Sequence, residues 1–264
     1  MTTATLHESQ LVMYLSYLCH SPRPEAFEQG DVSEFFHILF EQLDCDVRSV
    51  RPGLDLVSQF CQGSINHSIH CSTCKLSEVG AVTQFLEFPL EYPPLRLHVD
   101  HFLNSETGAS SWRPSSPDVL DCIEYSLERM HASSSTRFCS ACGGTNLALG
   151  SVSLASPPSL LVLRLSPVTL MNGMAVKTSE KRIRLIESME LGSGLCELVG
   201  VIVHHGKAVS AGHYSCYSLR DNGWKHFNDS TVDDMSRYST GEIIAIIERE
   251  SGKAHPCLAY YSIR

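Results

Sequence analysis

Residues 212–232 read GHYSCYSLRDNGWKHFNDSTV, and the interpretation of the chain starts from this stretch. It contains two short runs that favour strands, and the Asn222-Gly223 pair between them is a strong short-range signal of a β-hairpin. The first run begins at His213, and the second ends at Asn228 and Asp229. A histidine with an amide and a carboxylate as possible orienting groups is typical of the base in nucleophilic catalysis. The hairpin therefore predicts a catalytic base whose nucleophile lies elsewhere.

The register of this hairpin is a separate question. A two-residue loop at Asn222-Gly223 would place Asn228 opposite Tyr217, four residues away from His213. At about 3.3 Å per residue, that offset is too long for a hydrogen bond between the two side chains. We therefore expect a bulge, or a wider and asymmetric loop, to shift the register.

The composition is that of an ordinary globular protein. Its 264 residues are 43% hydrophobic and 19% charged. This length is sufficient for one large domain or two small ones. The net charge of −9 disfavours nucleic acid and favours a basic or mixed-charge protein partner. No apolar run reaches the roughly 18 residues of a membrane helix, and the N-terminus has no signal-peptide pattern. We therefore expect no membrane association, a cytoplasmic or nuclear location, and cysteines that are thiols or metal ligands.

Upstream of the hairpin, the pattern alternates between helices and strands. Asp31 is expected to cap a helix whose apolar stripe begins at Val32. Strands are expected over about residues 55–90, a helix over 119–130, and further strands over 147–154, 160–165, 182–186, 195–204 and 259–263. This order predicts an α+β fold.

Two cysteine pairs give the most specific metal signal. Cys71-x-x-Cys74 and Cys139-x-x-Cys142 together supply four thiolates for a tetrahedral Zn²⁺ with bonds of about 2.3 Å. Four protein ligands leave no open position, so the predicted zinc is structural. A redox CxxC pair and a coincidence of buried cysteines are the alternatives.

Several stretches resemble the ubiquitin-specific proteases. QGDVSEFF at residues 29–36 is similar to the family's QQD box, and the two CxxC pairs match its zinc ribbon in order and position. PSLLVLRL at 158–165 is similar to a buried strand of the family, residues 212–232 to its His box, and AYYS at 259–262 to its closing strand. The matches cover about residues 26–264 in the family's order.

The resemblance implies roles for individual residues. His213 corresponds to the general base, Asn228 to the residue that orients its ring, and Asp229 to a further polar position in the same region. Gln29 and Asp31 correspond to the substrate channel, and we place Tyr214 there as well. Ubiquitin and ubiquitinated proteins are the implied partners.

The resemblance also implies a papain-like fold. We expect a partial helical thumb in residues 1–50, zinc-ribbon fingers in 51–165 and an antiparallel β palm in 166–264, all forming one domain. The implied activity is thiol-dependent cleavage of ubiquitin isopeptide bonds.

The family's nucleophile box, a glycine–asparagine–threonine–cysteine run upstream of the QQD box, does not occur in this sequence. Cys19 is the one cysteine that precedes Gln29 in the sequence. It lies on the apolar side of a helix predicted at residues 8–20, near the C-terminal end of that helix. The helix dipole there raises a thiol pKa, which disfavours a reactive cysteine. We therefore expect a domain shortened at its N-terminus, whose full form is a deubiquitinase. A catalytically inactive ubiquitin-binding regulator and an unrelated zinc-ribbon interaction protein are the alternatives.

Overall fold

The structure is a computed structural model that describes residues 31–71, 73–93, 117–131, 135–165, 168–171, 174–177, 183–192, 194–206, 212–250 and 254–264. Its four helices are α1 (Val32–Val50), α2 (Leu56–Cys61), α3 (Val119–His131) and α4 (Thr240–Arg249). Its strands are β1 (Gly63–Cys71), β2 (Ser77–Phe85), β3 (Phe88–Leu90), β4 (Ser135–Phe138), β5 (Thr145–Ser156), β6 (Leu160–Leu165), β7 (Val168–Met171), β8 (Met174–Lys177), β9 (Ser188–Leu191), β10 (Gly194–His205), β11 (His213–Arg220), β12 (Gly223–Asn228), β13 (Thr231–Asp234) and β14 (Ala254–Ile263).

The larger sheet has eight strands in the order β13-β12-β11-β10-β14-β6-β3, with β9 also paired to β10. Its pairings are antiparallel except for the parallel pairing of β3 with β6. β3 and β6 come from the 51–165 segment, so the chain leaves this sheet after β3 and returns to it at β6. The middle strand β10 pairs with β11 along the whole length of the predicted histidine arm.

The two faces of the larger sheet are covered differently. Alternation along a strand sends Leu161 and Leu163 of β6 to one face and Val162 to the other. The first face belongs to the main core, which includes apolar side chains of α3 and α4. On the opposite face, Phe36 of α1 packs in a smaller cluster with Val162 and Leu258. Helix α1 therefore lies across the face of the larger sheet that is opposite to the main core.

The smaller sheet has the order β2-β1-β5-β4 and is antiparallel throughout. Each of its two outer hairpins, β1–β2 and β4–β5, turns through one of the cysteine pairs. Strands β7 and β8 form a separate two-stranded ribbon.

A buried polar network ties the first turn of α1 to the larger sheet. The Ser33 hydroxyl donates to the Glu87 carboxylate, at 2.9 Å from Oε1 and 2.7 Å from Oε2. On the other side, Arg164 Nε lies 3.0 Å from Glu87 Oε1. The Glu87 side chain is 4% exposed and the Arg164 side chain 44% exposed, so only the cation reaches solvent.

The prediction for the start of α1 is confirmed. Asp31 is the N-cap, and its side chain accepts a hydrogen bond of 2.8 Å from the Ser33 N–H. The helix at 119–130 and the strands at 147–154, 160–165, 195–204 and 259–263 are also confirmed within one to five residues of the observed bounds. The helix predicted at residues 8–20 lies outside the described residues.

Two local predictions are wrong. Residues 56–61 form helix α2 rather than a strand, because Asp55 caps it by accepting a hydrogen bond from the Ser58 N–H at 3.0 Å. Of the strand predicted at 182–186, the described part contributes only an isolated bridge between Asp118 and Arg184. That segment instead follows the core as a single extended stretch, in which Leu185 is buried.

Candidate active site and zinc site

The hairpin of β11 and β12 brings His213 and Asn228 together. Its loop consists of Asp221 and Asn222, since Arg220 already pairs with Gly223. Neither loop residue has a positive φ, whereas Gly223 has φ +100°. The left-handed conformation therefore falls on Gly223, the glycine that follows the two loop residues.

The register is shifted as we expected, but the expected bulge or wider loop is wrong, because the loop keeps two residues and only its position moves by one. Tyr217 pairs with His226, not with Asn228, and continuing the same register places Asn228 level with Ser215. The two-residue change brings Asn228 within two residues of His213 along the neighbouring strand. No bulge occurs among the five residue pairs of this ladder, so the shift arises entirely at the turn.

The two side chains form a direct hydrogen bond. His213 Nε2 lies 2.5 Å from Asn228 Oδ1. Because an amide oxygen can only accept, Nε2 carries the proton, and Nδ1 of the neutral ring presents a lone pair. Asp229 Oδ1 is 3.8 Å from that Nδ1, and Asp229 adopts a left-handed φ of 51°. The His213 side chain is 39% exposed, so Nδ1 faces an accessible edge of the sheet.

A pocket of about 470 Å³ lies beside this pair, between the start of α1 and the sheet. Its floor is a row across three strands, Ile202, Cys216 and Phe227, which the ladders pair directly. Its walls and rim include Asp31, Val32, Phe35, Tyr214, Ser215 and Asp229. Burial raises the pKa of Tyr214, and the nearby Cys257 and Asp31 add to the shift.

The predicted channel residues thus fall partly in one place. Asp31 and Tyr214 both line the pocket, and Asp229 lies on its rim. Gln29 lies outside the described residues. By strand alternation, His213 and Asn228 project from the face opposite to Tyr214 and Phe227, so the pair lies next to the pocket and not inside it.

The four predicted zinc ligands converge. Their sulfur atoms all lie within 4.8 Å of one another, with 3.8 Å between Cys71 and Cys142 and 3.5 Å between Cys74 and Cys139. Zn–S bonds of about 2.3 Å in a tetrahedron place sulfurs about 3.8 Å apart. The donor set and its spacing therefore fit a structural Zn²⁺, and these four cysteines could bind one.

The two cysteine turns share one backbone design. In the first, the Cys71 N–H donates to Leu76 O and the Lys75 N–H to Cys71 O, and Lys75 has a left-handed φ of 61°. In the second, Cys139 and Gly143 repeat both hydrogen bonds, and Gly143 has φ +67°. The backbone N–H groups of Cys74 and Thr73 lower the pKa of the Cys71 thiol to about 6, whereas hydrogen bonding with Cys139 raises the pKa of Cys74 and Cys142.

Sequence comparison decides the family. The family model described as "Ubiquitin carboxyl-terminal hydrolase" matches residues 13–252, which is most of the chain. The chain belongs to this family. Ubiquitin carboxyl-terminal hydrolase 3 of Mus musculus is 37% identical over 73 residues, covering 25% of this chain and 14% of the relative. Ubiquitin carboxyl-terminal hydrolase 8 of Saccharomyces cerevisiae is 21% identical over 269 residues, covering 90% of this chain and 50% of the relative.

Solved structures of the ubiquitin carboxyl-terminal hydrolase family share the fold. A SAGA DUB module with Ubp8, bound to monoubiquitin, matches with a TM-score of 0.71 at 21% identity, over 97% of this chain and 53% of that chain. The same module bound to ubiquitin aldehyde matches with a TM-score of 0.69 at 20% identity, over 100% and 56%. The predicted α+β ubiquitin-specific protease fold is therefore confirmed. The chain spans about half the length of these structures and of the yeast relative.

None of the described cysteines lies beside His213. Among the described residues, no cysteine sulfur lies within hydrogen-bonding distance of either ring nitrogen of His213. Burial raises the pKa of Cys61 to about 11 and that of Cys122 to about 12, and it also raises the pKa of Cys216. Cys19 lies outside the described residues.

Sequence reasoning missed two polar features of this region. One is the buried Ser33–Glu87–Arg164 network, whose members come from three separate segments and leave no motif. The other is His205, which pairs directly with His213 and whose Nε2 lies 2.7 Å from the buried Ser215 hydroxyl. A polar residue at the end of an apolar run was the available signal for His205.

Among the described helices, none is long and apolar enough to cross a membrane.

Proposed function

We propose that this chain binds ubiquitin and supplies the base and the orienting residue of a thiol-dependent ubiquitin hydrolase. The observation that supports this most is the hydrogen bond between His213 Nε2 and Asn228 Oδ1, at the edge of a pocket formed with α1. The family match makes ubiquitin the expected substrate. Ubiquitinated proteins in the cytoplasm or nucleus are the corresponding partners, and the ubiquitin-bound neighbours support the ubiquitin part of this proposal.

In this proposal Asn228 fixes the tautomer of His213. With the proton held on Nε2, Nδ1 accepts the proton of a cysteine thiol, and the thiolate attacks the carbonyl carbon of ubiquitin's C-terminal glycine. The imidazolium then protonates the leaving lysine amine, and water hydrolyses the thioester. Asp229, at 3.8 Å from Nδ1, stabilises the imidazolium by its negative charge.

The channel residues contribute to binding in the same proposal. Asp31 at the start of α1 and Tyr214 on β11 both line the pocket, close to one another, and contact the end of the substrate. Gln29 belongs to the same channel by its place in the sequence. The zinc held by Cys71, Cys74, Cys139 and Cys142 would act structurally, by fixing the two hairpin turns of the smaller sheet.

The second candidate function is ubiquitin binding without hydrolysis. It is favoured because none of the ten described cysteines has its sulfur within hydrogen-bonding distance of the His213 ring. In that case His213 and Asn228 have a structural role in the hairpin and take no part in catalysis. The two candidates share the ubiquitin-binding surface and differ in whether a cysteine approaches Nδ1 of His213.

One set of measurements tests both candidates. Titration with ubiquitin, followed by NMR, measures binding, and ubiquitin carrying a thiol-reactive group at its C-terminus reports a reactive cysteine. Binding with labelling that is lost in Cys19→Ser would identify Cys19 as the nucleophile. Binding without labelling would favour the non-catalytic candidate for this chain. No binding at high micromolar ubiquitin would refute the proposal, provided that the melting curve shows the chain to be folded.

A further inference from the structure

A histidine occupies a core position at the end of β10. His204 is 2% exposed and follows the buried Val201 and Val203 on the same strand. An imidazole at such a position must give up its hydration, which makes it a less favourable core residue than the valines before it. A buried histidine here therefore suggests a role beyond filling space.

The His204 ring lies against the residue that precedes the proposed base. A Cβ atom added to Gly212 would come within 2.2 Å of the His205 carbonyl oxygen and within 2.5 Å of both Cε1 and Nε2 of His204. That separation is far below van der Waals contact, so the ring can occupy this position only because residue 212 is a glycine. The main chain of residue 212 is thus held directly against the imidazole edge.

The same ring also contacts the residue that follows the proposed base. His204 and Tyr214 are directly paired across β10 and β11. Their ring centroids are 4.7 Å apart with an interplanar angle of 63°, an edge-to-face contact. Tyr214 is itself fixed on its other side, where it lines the pocket with Asp31.

Strand geometry relates these contacts to His213. Side chains alternate along β11, so Gly212 and Tyr214 share the face of His204, and His213 points to the opposite face. A ring that contacts both neighbours from behind restricts the main chain on either side of His213. That main chain sets the direction in which the His213 ring leaves the strand and reaches Asn228.

We propose that His204 is a positioning residue for His213. It acts through Gly212 and Tyr214 and touches neither the substrate nor the reacting atoms. The inference rests on the proposed function only in taking His213 as the base; the positioning itself is a property of the free chain. It predicts that a change at His204 loosens the bond between His213 Nε2 and Asn228 Oδ1 without unfolding the sheet.

The test observes that bond directly by NMR on chain labelled with ¹⁵N-histidine. The ring N–H of His213 should appear as an exchange-protected resonance, assigned by its disappearance in Asn228→Ala. In His204→Gln, we expect its exchange with water to become about tenfold faster. Tyr214→Leu, which removes the ring contact of His204 on the other side of His213, should have the same effect and serves if His204→Gln does not fold. Ile247→Val, a buried change on α4, is the matched control and should leave the resonance protected.

The outcomes separate the two proposals. If His204→Gln and Tyr214→Leu both keep a protected resonance, His204 does not position the base. If Ile247→Val loses protection to the same extent, the effect is general destabilisation, which also refutes the inference. If the wild-type chain shows no resonance that depends on Asn228, the base and its orienting residue in the proposed function are refuted instead.

Discussion

Removing the cation from the buried Ser33–Glu87–Arg164 network should cost more stability than removing the anion. Arg164→Gln leaves the Glu87 carboxylate, 4% exposed, with only the Ser33 hydroxyl as a partner. Loss of one partner from a buried ion pair costs about 3–5 kcal/mol. Because Arg164 is 44% exposed and its charge is partly screened by water, we expect about 2–3 kcal/mol here.

The reverse change has a different physical consequence. In Glu87→Gln the neutral amide still accepts a hydrogen bond from Ser33 or Arg164, and the guanidinium turns to solvent. The expected loss is about 1 kcal/mol, the net value of an ordinary hydrogen bond. The double variant removes both charges, so it should be more stable than Arg164→Gln alone.

Urea unfolding at neutral pH, followed by circular dichroism, measures the three free energies of unfolding. The expected order of destabilisation is Arg164→Gln first, the double variant next and Glu87→Gln last. Equal losses in the two single variants, or additive losses in the double variant, would show that the carboxylate is not buried as an ion pair. An unchanged slope with urea concentration is the control for a common unfolded state.

Three further predictions concern other parts of the molecule. Cys139→Ser should abolish the binding of about one zinc ion per chain, measured by metal analysis after gel filtration. Cys45→Ser, at an exposed thiol outside the cluster, should leave zinc binding unchanged. Gly223→Ala should lower the free energy of unfolding by about 2 kcal/mol, because an added Cβ meets Ser236 Cα at 2.8 Å and φ is +100°. Gly53→Ala, with φ +90° and nothing within 4 Å, should lose less, so equal melting temperatures would refute the steric explanation. Hydrogen bonds from Ser236 lower the pKa of Asp234 to about 2 from 3.8, so its stabilisation is present above about pH 4 and is lost as the pH falls towards 2. Acid unfolding curves of Asp234→Asn should lack that component, and curves that superimpose on the wild type would contradict it.

Features encoded within a few residues could be predicted from the sequence. Asp31 caps α1 as expected, and the spacing within each cysteine pair anticipated a cluster whose halves lie far apart in the chain. The two pairs meet because each forms the turn of its own hairpin, and β1 and β5 pair side by side. Spacing predicted the ligands, whereas only strand pairing fixes which sulfurs are nearest.

The errors occurred where two local signals competed. Asn222-Gly223 favours a tight loop, but Asp221 and Asn222 form the loop and Gly223 takes the left-handed position after it. Helix α2 shows the same kind of competition, because its short apolar pattern suits either a strand or a helix and the cap at Asp55 determines the outcome. Helix α4 carried a usable signal, the capping box of Ser239 and Glu242, which sequence reasoning passed over.

Tertiary features of the candidate site had no sequence signal at all. Ser33 and Glu87 are 54 residues apart in the chain, and nothing near either one indicates the other. The contact of His204 with Gly212 depends on the pairing of β10 with β11 and on a loop between them. Such contacts follow from the assembled sheet and cannot be read from spacing.

The placement of the two cysteine turns has a consequence for how this domain can change over evolution. A bound metal would join parts of the chain that are separated by the 64 residues between Cys74 and Cys139. By loop-closure entropy, a cross-link over such a span disfavours the unfolded chain by about 4 kcal/mol. The entropy grows only with the logarithm of length, so doubling the span changes it by about 0.6 kcal/mol. The segment between the turns can therefore lengthen by dozens of residues outside its strands and helix, and acquire new contacts, while the cross-link keeps nearly all of its stabilising effect.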